Sequence, residues 1–123
     1  MKKVFVVDDE KSILEALEFI LLEEGYDVRT ASRGSVLLRL NGDLPDLIVL
    51  DVLLSGEDGR EIARELKKNN KTKNIPIIMI SAHPNVERTI IECGADEFLP
   101  KPFDIESFLK IVEKYSSNGI LHN

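Results

Sequence analysis

Three apolar runs of four residues constrain this chain more than any other feature: Val4-Phe5-Val6-Val7, Leu47-Ile48-Val49-Leu50 and Ile77-Ile78-Met79-Ile80. They are short, rich in β-branched residues and bounded by polar ones. They do not alternate between apolar and polar. That pattern suits strands covered on both faces, as in a parallel sheet.

Between the runs lie stretches of helical period. Ile13, Leu14, Leu17, Ile20 and Leu21 form one apolar stripe, and Gly25 stands where such a helix ends. Ser12 and Glu15 have the spacing of a capping box at its start. Further helices are predicted at about 34–41, 59–68, 85–93 and 104–115. Ile62, Ala63 and Leu66 face the core in the third helix, and Phe108, Leu109 and Val112 in the fifth. Shorter strands fit Asp27 to Ala31 and Glu97 to Leu99. A strand followed by a helix, five times over, gives an α/β fold: a doubly wound, five-stranded parallel sheet with five helices. The expected strand order is the flavodoxin-like 2-1-3-4-5. A domain over residues 1–116 with a flexible tail over 117–123 accounts for the whole length.

At 123 residues the chain is one ordinary domain, large enough to bury a real core. Its formal net charge of −6 argues against direct binding to nucleic acid, which normally takes a basic surface. Cys93, the single cysteine, excludes an internal disulfide and any cysteine-rich zinc site, and reads as a small apolar helix residue. No run is long enough to span a membrane or to serve as a signal peptide, so a cytoplasmic protein is expected.

The chemistry converges at the carboxyl ends of the strands, the rim where open α/β sheets bind ligands. Strand one ends in Asp8-Asp9, strand three in Asp51 and strand four in Ser81, while Lys101 follows strand five. Asp8 and Asp51 lie 43 residues apart in sequence, yet their strands are neighbours in the expected order. Each residue alone has a plainer reading: a helix cap, a strand-end acid, a hydroxyl satisfying the backbone, a solvated lysine. Together they point to one site. Three adjacent carboxylates repel unless a cation intervenes, and an all-oxygen donor set suits Mg²⁺. With Mg²⁺ and Lys101 the site becomes nearly neutral and ready for a phosphoryl group. A carboxylate held there can attack phosphorus and form an acyl phosphate, and positioning with charge neutralisation supplies most of what that transfer needs.

With these residues in place, the chain resembles the receiver domain of bacterial two-component response regulators. The matching motifs are Val6-Val7-Asp8-Asp9-Glu10, Asp46-Leu47-Ile48-Val49-Leu50-Asp51, Gly56-Glu57-Asp58-Gly59, Ser81-Ala82, Gly94-Ala95-Asp96 and Lys101-Pro102-Phe103. The resemblance implies that Asp51 is the phosphoacceptor. It makes Asp9 and Asp51 side-chain Mg²⁺ ligands, with Asp8 acting largely through water and Leu53 through its carbonyl. Ser81 and Lys101 become the phosphoryl-oxygen partners, Phe98 the aromatic switch, and Lys101-Pro102 a cis bond. It implies a phosphorylation-activated switch served by a sensor histidine kinase, a phosphotransfer protein or a small acyl phosphate. Such a domain catalyses only its own phosphorylation and dephosphorylation. Its downstream effector is met through the face of helix four, strand five and helix five.

Departures from that pattern carry their own expectations. Ser55 stands where the family usually has proline, which implies a looser loop. Ser81 replaces the commoner threonine but keeps the hydroxyl. The interval of 20 residues from Ser81 to Lys101 is short, which places a shortening around Pro84 and helix four. Helix five lacks the arginine-rich run of regulators that dimerise ahead of a winged-helix domain. Lys67, Lys68, Lys71 and Lys73 read as a solvated basic cluster, and His83 as an exposed loop residue near the site.

Three alternatives stay open on the residues. An FMN module needs a glycine- and hydroxyl-rich loop after strand one, where Asp8-Asp9-Glu10 stands instead. A phosphohydrolase with an aspartyl nucleophile places an acid two residues on, where Leu53 stands. The chain can also be the receiver portion of a longer DNA-binding regulator; Met1 and the trailing Asn123 favour a single-domain protein.

Overall fold

The computed structural model describes residues 2–83 and 85–116; the tail expected over 117–123 lies outside the described residues. Five parallel strands form the sheet: β1 (Lys3–Val7), β2 (Asp27–Ala31), β3 (Leu47–Asp51), β4 (Ile77–Ser81) and β5 (Glu97–Pro100). Their order across the sheet is β2-β1-β3-β4-β5, as the alternation of elements predicts. Helices α1 (Lys11–Glu23), α2 (Gly34–Arg39), α3 (Gly59–Lys68), α4 (Glu87–Glu92) and α5 (Ile105–Ser116) flank the sheet.

The apolar runs lack alternation because both faces of the central strands are covered. Val4, Val6, Leu47, Val49, Ile78 and Ile80 point to one face, where Leu17 and Leu21 of α1 and Phe108 and Val112 of α5 close over them. Phe5, Val7, Ile48, Leu50, Ile77 and Met79 point to the other. There Leu37 of α2, Ile62, Ala63 and Leu66 of α3, and Ile90 and Cys93 of α4 complete the core. Leu109, expected in the core of α5, is only partly buried against it. Cys93 is buried, its thiol donating to the Ile90 carbonyl, in keeping with a packing role.

Local chemistry moves some boundaries. The α1 helix has Glu10 as its N-cap residue without a side-chain cap, so Ser12 and Glu15 form no capping box. The Asp8 carboxylate accepts the Glu10 N–H at 2.9 Å, and the Glu10 carbonyl already accepts from Ile13 and Leu14. The chain is thus turned into the helix two residues before Ser12 can cap it. Gly25 does end that helix, with a φ of +91° that other residues adopt at a cost.

The α2 segment is a 3₁₀ helix and stops at Arg39 rather than residue 41. The Glu57 carboxylate accepts the Gly34 N–H at 2.7 Å and the Ser35 N–H at 3.1 Å, holding its first turn. Leu40 is already extended, and the six residues are long for a 3₁₀ run, which rarely exceeds about three to four. The α4 helix keeps only six residues, Glu87 to Glu92, and Asn85 before it has a φ of +65°. The helix is thus shorter than the 85–93 expected from the sequence.

Candidate functional site

Strand register brings the site together. Val7 lies opposite Leu50, Asp51 opposite Ile80, and Ser81 opposite Pro100. Asp8, Asp51, Ser81 and Lys101 therefore sit within one residue of a single line across the carboxyl end of the sheet. Asp8 is the first residue beyond β1, and Asp51 is the last residue of β3.

Asp8, Asp51 and Ser81 are buried, while Asp9 is exposed. The Lys101 ammonium donates to Asp8 Oδ2 at 3.0 Å and to Glu10 Oε1 at 3.2 Å, and lies 3.5 Å from Asp51 Oδ2. The Lys101 N–H donates to the Ser81 carbonyl at 2.8 Å, which ties its backbone to the end of β4. The Lys101-Pro102 bond is cis, as the sequence motif implied. Asp8, Asp9 and Asp51 can each offer one oxygen, all within 4.8 Å of one another.

The charges are unbalanced. Burial, followed by the charge of Asp8, pushes the Asp51 carboxyl up to about 6 against the pull of Lys101. Burial also weighs on the Lys101 ammonium. Its bond to Asp8, the nearby Asp51 and Asp8 charges and the Glu10 bond outweigh that, and its pKa ends above the usual lysine value. One ammonium thus faces an acidic cluster that keeps an excess of negative charge. Hard oxygen donors, close spacing and uncompensated charge fit a divalent cation such as Mg²⁺.

Between β3 and α3 the chain makes a small antiparallel ribbon, Leu53–Leu54 with Glu57–Asp58, turning at Ser55-Gly56. Leu53, at its start, has an exposed side chain two residues beyond Asp51. Gly59 then passes so close to β3 that a Cβ there would lie 2.1 Å from the Asp51 carbonyl oxygen, so glycine is required. Far from being loosened at Ser55, the ribbon is tied to the site: Ser55 Oγ donates to Asp9 Oδ2 at 2.8 Å.

The sequence model of the response regulator receiver domain matches residues 4–113, most of the chain. The chain belongs to that family. This receiver domain is similar to a putative response regulator from Chloroflexus aurantiacus (32% identity, 94% of this chain and 98% of that one, TM-score 0.86). It is also similar to the chemotaxis protein CheY4 of Vibrio cholerae (30% identity, 94% and 98% covered, TM-score 0.85). A third neighbour is the response regulator TrrA of Thermotoga maritima, solved in complex with Mg²⁺-BeF (36% identity, 94% and 99% covered, TM-score 0.83).

Of the residues singled out in the sequence, Asp8, Asp9, Asp51 and Lys101 meet in one cluster. Ser81 lies at its edge, its Oγ accepting the His83 N–H at 3.0 Å. Phe98 is half-buried on β5 against the core, and lines a cavity of about 580 Å³ shared with Ser81, His83, Arg88, Thr89 and Lys101. His83 is exposed. Lys67 departs from the solvated cluster expected of it: its ammonium reaches Asp96 at 3.0 Å and the Ile75 carbonyl at 2.8 Å. Sequence reasoning gave no role to Glu10 as a Lys101 partner or to the Ser55 bond. Glu10 carried the faint signal of an acid following two others; Ser55 carried only its departure from proline.

Proposed function

We infer that this chain, a receiver domain of two-component response regulators, works as a phosphorylation-activated switch served by a histidine kinase or phosphotransfer protein and read by a downstream effector. We propose that Asp51 is its phosphoacceptor and that Mg²⁺ is held by Asp9 and Asp51, with Asp8 acting largely through water and Leu53 through its carbonyl. The observation that carries this reading is the buried Asp51 carboxylate, 3.5 Å from the Lys101 ammonium, in a cluster with excess negative charge. When bound, the cation supplies charge neutralisation at the phosphoryl oxygens and lowers the barrier that repulsion among the acids imposes. The Asp51 carboxylate oxygen forms the new bond to phosphorus as the donor's N–P or O–P bond breaks. Lys101 and the Ser81 hydroxyl take the phosphoryl oxygens. The domain catalyses this transfer and its own dephosphorylation, turning over no other substrate, and works in the cytoplasm without touching nucleic acid.

The output face is that of α4, β5 and α5. A phosphoryl group adds close to two negative charges, drawing the Ser81 hydroxyl inward and opening space for Phe98. Moving a switch from nearly all inactive to nearly all active takes roughly 5.5 kcal/mol. One hydroxyl bond to a charged group supplies about 1.5–3 kcal/mol. Lys101 and the metal contacts contribute the remainder.

Intact-mass analysis with a small acyl phosphate and Mg²⁺ tests the acceptor. One phosphate per chain is expected, absent in Asp51→Asn and after chelation; undiminished label in that variant, or steady hydrolysis of many phosphate esters per chain, overturns the reading. The output face is tested by NMR with and without phosphate. Shifts should extend through residues 85–115, and Ser81→Ala should accept phosphate yet show them weakened. Changes confined to the phosphate pocket count against it.

A further inference from the structure

The three acids of the site are not held alike. Asp8 is fixed by the Glu10 N–H and by Lys101, and Asp51 is buried beside the same ammonium. Asp9 is exposed, and among the described residues its carboxylate has one hydrogen-bond partner, the Ser55 hydroxyl at 2.8 Å. We propose that Ser55 is a positioning residue for the cation: by holding one oxygen of Asp9, it orients the other toward the space shared with Asp8 and Asp51. This rests on the reading of the cluster as a Mg²⁺ site.

An exposed hydrogen bond ordinarily competes with water and gains little. What distinguishes this one is the rigidity of the donor. Ser55 occupies the two-residue turn of a ribbon whose arms pair Leu53 with Asp58 and Leu54 with Glu57. Each arm is anchored in turn. Leu54 is buried, Glu57 holds the Gly34 and Ser35 N–H groups, and Asp58 takes a bidentate bond from the Arg60 guanidinium at 2.9 and 2.7 Å. Arg60 also donates to Thr89 Oγ1 at 3.0 Å on α4. The hydroxyl is therefore placed before any cation arrives, and little freedom is lost in using it.

The chemistry of Mg²⁺ makes that placement matter. It demands near-octahedral geometry and sheds water reluctantly, so a ligand that must first be ordered binds it less well. A hydroxyl on the non-ligating oxygen fixes the carboxylate's rotation, as outer partners do at metal sites generally. Alanine at 55 leaves Asp9 free to turn into solvent, whereas threonine keeps the donor.

Mg²⁺ titrations of the unphosphorylated full chain, followed by amide shifts in NMR, provide the test. Ser55→Ala should weaken Mg²⁺ binding about threefold to tenfold, at or below the range usual for outer partners because Asp9 is exposed, and Ser55→Thr should stay within about twofold of wild type. Melting temperatures in EDTA should be the same for all three proteins. Equal Mg²⁺ affinity in wild type and Ser55→Ala overturns the role of Ser55 alone. So does a loss that Ser55→Thr shares, or one accompanied by a lower melting temperature in EDTA. A wild type that binds no Mg²⁺ overturns the reading of the cluster itself.

Discussion

Both ends of the sheet carry aspartates beside a lysine, and they behave in opposite ways. At the amino end, Lys3 pairs with Asp43, Arg29 reaches the same carboxylate at 3.4 Å, and the Lys3 N–H donates to Asp46 at 2.8 Å. At the carboxyl end, Lys101 meets Asp8, Glu10 and Asp51. The side chains of the first pair are 39% and 59% exposed; those of Lys101 and Asp51 are 10% and 8%. The Asp43 carboxyl is held below its ordinary pKa, chiefly by its bond to Lys3, while burial and Asp8 lift that of Asp51 to about 6. Residue type does not decide which rim is a site. Water decides it, together with the ratio of acids to cations. An exposed, nearly matched cluster is already satisfied. A buried cluster with surplus acid is under a strain that a cation or a phosphoryl transfer can relieve.

The largest effect that follows is a difference in the sign of pH dependence. Below pH 4 Asp51 is neutral in both folded and unfolded chains, so it costs nothing. Between about pH 4 and 6 the unfolded chain ionises first and stability falls; above that the folded state bears the full penalty of a buried, repelled charge. In EDTA, Asp51→Asn should therefore match wild type near pH 4 and exceed it at pH 7 by roughly 2–3 kcal/mol, read from urea titrations at each pH. Asp43→Asn should run the other way. Its lowered pKa contributes stability above about pH 4 that is lost as pH falls, so its cost appears at neutral pH and vanishes in acid. Parallel slopes for the two variants would erase the distinction between the rims.

How far the sequence reveals such a distinction depends on the range over which the deciding interactions act. The parallel sheet was legible because burial on both faces leaves a mark in consecutive residues, Ile77 to Ile80 being the plainest case. The cluster was legible once strand order was in hand, because register carries strand ends to a common line. The Ser55 bond was not: it depends on where a two-residue turn happens to swing, and nothing in the neighbouring residues encodes that. Nor was the 3₁₀ form of α2, which depends on Glu57, 23 residues away from Gly34. Lys67 misled for the same reason, since its carboxylate partner, Asp96, comes from the turn leading into β5.

Replacing each lysine by methionine, which keeps the apolar stem and removes only the charge, gives a smaller and sharper comparison. Without Lys101, the buried Asp8 loses its counter-ion and Asp51 loses the one group that lowers its pKa. Breaking a fully buried pair commonly costs about 3–5 kcal/mol. Here the cost is capped, because the site opens to water and Asp51, already near 6, can take up a proton instead. Lys101→Met in EDTA should therefore lose about 1–2 kcal/mol at pH 7, more at pH 8 and less at pH 6, where protonation supplies the missing neutralisation. Lys3→Met should lower the melting temperature far less than Lys101→Met does, by about as much as Asp43→Asn. That small cost should be equal at each of these pH values, because Asp43 stays ionised throughout, and added salt should shrink it. Its partner remains in water, which solvates a free carboxylate almost as well as the ammonium did. A Lys3→Met chain that loses as much stability as Lys101→Met, or a Lys101→Met cost that is flat in pH, would mean that charge count alone, without burial, separates the two ends of this sheet.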